Sequence, residues 1–124
     1  MTSSIEDNKN LLNQFDDFKN WLISSGFSAK SANDYRFRLI RITKYIHQNI
    51  DECIENNDKY LILMAKIHNY SIEQAHTVTS QYSIRGTLRS ALKKYAAFKY
   101  PELYQSLPNA YGKKVPSIAS KIKN

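Results

Sequence analysis

The sequence predicts an all-α protein, a compact bundle of four to five helices over residues 1–100 followed by a basic, loosely held tail at 101–124. Three observations carry that expectation. Only three glycines and three prolines interrupt 124 residues, so long stretches contain no breaker. Apolar residues recur at spacings of three and four along most of the chain. Hydroxyl residues and a glycine stand where helices need to start and stop. A chain of this length makes about one domain with a modest core, and an apolar share of 42% is that of a folded protein.

The first helix is predicted to begin after Ser3 or Ser4, with Glu6 and Asp7 near its positive end. Ile5, Leu11 or Leu12, Phe15, Phe18 and Leu22 form its apolar stripe, and Gly26 suits a left-handed C-terminal cap. Ser28 caps a second helix, "AKSANDYRFRLIRITKYIHQN", whose core stripe is Ala32, Tyr35, Leu39, Ile42 and Ile46. At about 100° per residue, Lys30, Asn33, Phe37, Arg41 and Lys44 fall on the opposite side. Phe37 is the odd member there, readable as a ring that packs on a base or sugar or as a packing residue. The third region, residues 49–71, reads as scaffold with Ile54, Leu61, Met64 or Ala65, and His68 on one side, and "ENND" can split it. After a connection, Thr79 or Ser80 can cap a last helix containing "SIRGTLRSALKKYAAFKY", which Pro101 ends. Ile84, Leu88, Ala91 and Tyr95 make its apolar side, and Arg85, Arg89 and Lys93 its basic side. Gly86 is out of place in a helix interior, where it costs about 1 kcal/mol against alanine. Close approach of a neighbouring helix or of a phosphate backbone would account for it.

The formal charge of +7 is unevenly distributed. Residues 29–50 carry five cations against one carboxylate and residues 81–124 nine against one, whereas 1–28 and 51–80 are net acidic. Such blocks favour a polyanion, because each neutralised phosphate releases condensed counterions. General solubility is the competing explanation.

Several classes are disfavoured. No apolar run approaches the roughly 20 residues of a membrane span. The polar, acidic start "MTSSIEDNKN" is unlike a leader peptide, and one cysteine, Cys53, makes no internal disulfide. A cytoplasmic, bacterial or phage-encoded protein is the expectation, the Asn-, Ile-, Lys- and Tyr-rich composition matching AT-rich codons. His47, His68 and His76 have no partners at metal-ligand spacing. No phosphate loop or nucleophile constellation stands out, so no enzyme, cofactor, metal or small-molecule substrate is expected.

Two segments carry a resemblance. "FKNWLISSGFSAKSANDYRFRLIRITKYI", through Phe18, Trp21, Leu22, Gly26, Ser28, Ser31, Tyr35 and Leu39, resembles the opening of the SAM-like N-terminal domain of phage integrases, the tyrosine recombinases. "TSQYSIRGTLRSALKKYAAFKY", through Ala91, Leu92, Tyr95 and Phe98, resembles its last helix. The resemblance covers about residues 15 to 100 and implies a helical bundle that clamps one side of duplex DNA. Carried over by position, it implies contacts from Lys30, Ser31 and Asn33 and from Gln81, Arg85, Arg89 and Lys93, to which the basic side of the second helix adds Arg41 and Lys44. The family continues into a catalytic domain whose arginines, histidines and nucleophilic tyrosine have no counterpart here, so strand cleavage is not implied. The chain is then part of a longer recombinase, a module of a restriction-type nuclease, or a small protein with the same fold.

The expected function is therefore a non-catalytic DNA-binding module from an integrase-like or mobile-element protein. The alternative is a small interaction factor that binds and modulates a nucleic-acid enzyme, with Phe37, Ile40, Tyr100, Tyr104 and Tyr111 as contacts.

Overall fold

The computed structural model describes residues 10–104, which are helical apart from short links. Residues 10–14 are helical and lead into α1 (Asp16–Ser24), followed by α2 (Ala29–Ile46), α3 (Ile50–Cys53), α4 (Asn57–Gln74) and α5 (Val78–Lys99). Among the described residues there is no strand, and no helix is long and apolar enough to cross a membrane. Ser3, Ser4 and Ile5, and the residues beyond Tyr104, lie outside the described residues.

Local chemistry sets the boundaries. Gly26, at φ 107°, turns the chain out of α1; its own N–H donates to the Ile23 carbonyl and that of Phe27 to the Leu22 carbonyl, each at 3.0 Å. Leu22 and Phe27 are buried together, so the cap is sealed by the apolar contact that accompanies this motif. One residue later the Ser28 hydroxyl accepts the Ser31 N–H at 3.1 Å and starts α2. The second helix ends at Ile46, three residues short of the expected end at Asn49, with His47 as its cap in the left-handed conformation (φ 56°). Asn49 and Asn56 cap α3 and α4 through their side-chain oxygens, so the chain breaks at 54–56 as "ENND" allows.

The links differ from expectation at two places. The connection between the last helices is only residues 75–77, because α4 runs on to Gln74 and α5 starts at Val78. Thr77 caps α5 by accepting the Ser80 N–H at 3.1 Å, in place of Thr79 or Ser80. The Gln81 amide closes the link by donating to the Ala75 carbonyl at 2.9 Å.

α5 packs on α1, α2 and α4, and α2 packs on α1. Phe15, Phe18, Leu22, Ala32, Leu39, Ile42, Leu88, Ala91 and Tyr95 are buried as the periodicity predicts. In α4 the buried face is Leu63, Ile67 and Ser71, while Leu61, Ala65 and His68 are exposed. The reason is an apolar run from Leu61 to Ala65 that offers more than one candidate face. Ile40 is also buried, 8% exposed, and so is not a surface contact.

Tyr95 occupies the centre. Its ring meets Phe15 and Phe18 edge-on, each at 5.2 Å, and Phe98 at 6.1 Å. Its hydroxyl donates to the Asp51 carboxylate, which also faces Lys99 Nζ at 3.4 Å. Tyr100 donates to the Asp51 carbonyl, and Tyr104 to the carbonyls of Ile54 and Asn56. Tyr104 also stacks on Tyr60, with ring centroids 4.9 Å apart. Tyr100 and Tyr104 are thus tied to the bundle, their hydroxyls satisfying open carbonyls at the α3–α4 junction. Tyr100 and Tyr104 are thereby half-buried within the fold.

Burial, with the bond to Asp51 second, holds the Tyr95 phenol far above its ordinary value of 10.0. The neutral phenol is the form the fold prefers, so its contribution is intact below pH 10 and is lost as pH rises above it. Stability is expected to fall above about pH 10 by up to about 1.4 kcal/mol per pH unit from this group. In denaturant unfolding, Tyr95→Phe should cost about 2 kcal/mol at neutral pH and flatten that alkaline limb. An unchanged limb would assign the loss to other groups.

Candidate nucleic-acid interface

α2 and α5 each carry five of the 18 lysines and arginines, and Asp34 is their one carboxylate. Their periodicity directs these cations to different surroundings. Lys30, Lys44 and Lys93 are exposed, and none is in an ion pair among the described residues. Lys30 and Lys44 share the outward side of α2 with Phe37 and Arg41, and Lys93 is on the outward side of α5.

The other candidates are tied into the fold. Asn33 accepts from Arg36 at 2.7 Å, and Arg36 also pairs with Asp16 of α1 at 2.5 Å, so Asn33 belongs to the α1–α2 contact. Ser31 is half-buried, one turn before Tyr35, and its N–H is used in the Ser28 cap. Arg41 donates to the Tyr70 hydroxyl at 2.7 Å and lies over that ring. Tyr70 in turn meets Tyr45 edge-on at 4.7 Å, and Tyr45 donates to Glu73, which links α2 to the end of α4. Gln81 serves the α4–α5 link.

Arg85 and Arg89 are turned onto α4. Arg85 Nη1 is 2.9 Å from His68 Nδ1 and donates to the Ser71 hydroxyl at 3.2 Å, while Ser71 donates to the His68 carbonyl. Arg89 donates to the Met64 carbonyl at 3.0 Å, and its Nε is buried without a partner. The row Arg85–Arg89–Lys93 is therefore two cations held at a helix contact and one in solvent.

A second feature had only a faint sequence signal. Tyr35, half-buried against Phe27, has the Arg38 guanidinium 4.6 Å and the Lys94 ammonium 5.0 Å from its ring centre. One aromatic thus gathers a cation from each basic helix, which only the Tyr35–Arg38 spacing foreshadows.

Gly86 is exposed, and a Cβ built there meets nothing within 4 Å. No neighbouring helix explains it.

Chemistry elsewhere is sparse. A groove of about 220 Å³ between α3 and α4 is lined by Cys53 with Glu52, Lys59 and Lys66. Burial pushes the Cys53 thiol up, away from the thiolate a nucleophile needs. No three His, Cys, Asp or Glu side chains gather as metal ligands among the described residues.

Comparison with known proteins returns no match to a family, a curated protein or a solved structure.

Two outcomes follow for stability. Gly86→Ala should raise the unfolding free energy by about 0.5–1 kcal/mol, read from a denaturant midpoint; a loss would reveal a contact at that position. Arg89→Ala should lower it by about 1–3 kcal/mol, whereas Lys93→Ala should leave it within about 0.5 kcal/mol.

Proposed function

We propose that the protein is a non-catalytic nucleic-acid-binding module that lies against the phosphate backbone of duplex DNA through α2 and α5. The observation that carries this reading is the pairing of two packed helices that hold ten of the 18 cations and a single carboxylate. Phosphate contacts need exposed cations, and Lys30, Lys44 and Lys93 are exposed. Arg41, Arg85 and Arg89 add fixed positive charge beside them while holding α4 in place. Long-range steering needs only the field of these arginines, so their internal bonds do not remove them from the interface.

The resemblance to the SAM-like N-terminal domain of integrases supports the same reading. The residues that carry it include the α1–α2 cap (Gly26, Ser28) and core positions Leu39, Ala91, Leu92 and Tyr95. The proposed origin is an integrase-like or mobile-element protein acting in the cytoplasm.

Binding to a short duplex should weaken steeply with salt, log K falling against log salt with a slope of about 0.9 per phosphate contacted. Replacing Lys30, Lys44 and Lys93 together by glutamate should remove measurable binding while leaving the thermal midpoint near that of the parent. This set is the cleaner probe, because reversing Arg85 and Arg89 would also break their bonds to α4. Full affinity in the triple variant would overturn the proposed face.

A further inference from the structure

Two aromatic rings are exposed among the described residues, Phe37 at 54% and Tyr82 at 71%. Every other described Phe, Tyr or Trp ring is buried or half-buried. One of the two stands on α2 and the other on α5, the basic helices. Each has an arginine of its own helix over the ring: Arg36 is 5.8 Å from the Phe37 centre and Arg85 is 5.9 Å from that of Tyr82. Those arginines are themselves anchored, Arg36 on Asp16 and Asn33, and Arg85 on His68 and Ser71.

The arginine that follows each ring by one turn also reaches α4. Arg41, one turn after Phe37, reaches Tyr70, and Arg85, one turn after Tyr82, reaches His68 and Ser71. Neither ring packs against another ring, and backbone phosphates need lysine and arginine, not an exposed aromatic. A flat π surface beside a cation is what a nucleobase stacks on, at about 1–3 kcal/mol per base. Bases within a duplex are already stacked on one another, so a ring of this kind gains that energy only from an unpaired base.

We propose that Phe37 and Tyr82 are stacking platforms for unpaired bases, so that the preferred ligand is duplex DNA carrying a single-stranded segment. The inference rests on the nucleic-acid reading above and names the strand structure the surface selects. Lysines 30, 44 and 93 hold the backbone, and the two rings take bases from the unpaired stretch.

The test compares a short duplex with the same duplex extended by a single-stranded oligothymidine tail, by fluorescence anisotropy at one salt concentration. The tailed probe should bind about ten-fold tighter, the equivalent of one stacked base. Phe37→Ala and Tyr82→Ala should each weaken the tailed probe about five-fold or more and leave the plain duplex unchanged. Phe37→Trp and Tyr82→Phe should retain tight binding. Both positions are exposed, so unchanged thermal melts confirm that the variants are folded. Equal binding of the two probes, or alanine variants that lose both probes alike, overturns the platforms while leaving salt-dependent duplex binding in place. Absence of binding to either probe removes the nucleic-acid reading and this inference together.

Discussion

A phenol hydroxyl enclosed by aromatic rings needs an acceptor, and in this protein the Asp51 carboxylate provides it. Burying the Tyr95 ring draws on the largest apolar gain available to α5, but the gain is kept only if the hydroxyl is satisfied. Asp51 sits in a four-residue helix too short to stand alone. It is held by its neighbours: Asn49 accepts the Asp51 N–H at 3.0 Å, and Gln14 donates to Asn49 at 2.9 Å. The segment before α1, the α3 turn and the C-terminal half of α5 thus meet around one bond. The relative placement of α2 and α5, on which the basic surface depends, follows from how α3 ties the end of α2 to Tyr95 and Lys99.

Much of the fold was legible because it is written in short-range chemistry. Ser28 as a cap, Gly26 as a left-handed terminator and the stripe Leu88–Ala91–Tyr95 depend on residues within a few positions of one another. The failures have the opposite character. The periodicity does not fix the orientation of α4, because Leu61 to Ala65 is apolar on several sides and tertiary packing selects Leu63 and Ile67. The α5 cap is Thr77 and not the expected Thr79 or Ser80, because all three hydroxyls can accept an N–H and the pattern does not choose among them. Tyr100 and Tyr104 were assigned to a surface because their partners are backbone carbonyls about 50 residues away, which leave no mark in a sequence.

The candidate interface was legible in charge and not in detail. Counting cations located α2 and α5, but periodicity alone did not separate solvent from a helix contact for Arg85 and Arg89. A long guanidinium stem can turn back along a neighbouring helix, and its acceptor there, the Met64 carbonyl, belongs to no motif. On the proposed nucleic-acid reading, the division into anchored arginines and exposed lysines suits a surface that holds its shape before it meets its partner. On that reading the fixed charges preorganise the field and the lysines would adjust to phosphate positions.

The tyrosine bonds that close the α3–α4 junction also bear on the order of assembly. Tyr95, Tyr100 and Tyr104 reach back 44, 49 and 50 residues to Asp51 and Ile54. Until that late part of the chain arrives, the four-residue turn has neither length nor partners to persist. On a growing chain α2 and α4 can coil early from local interactions, whereas the hinge between them stays open until α5 is complete. The junction therefore closes only once residues 95–104 are present, and the finished surface of the bundle depends on that closure.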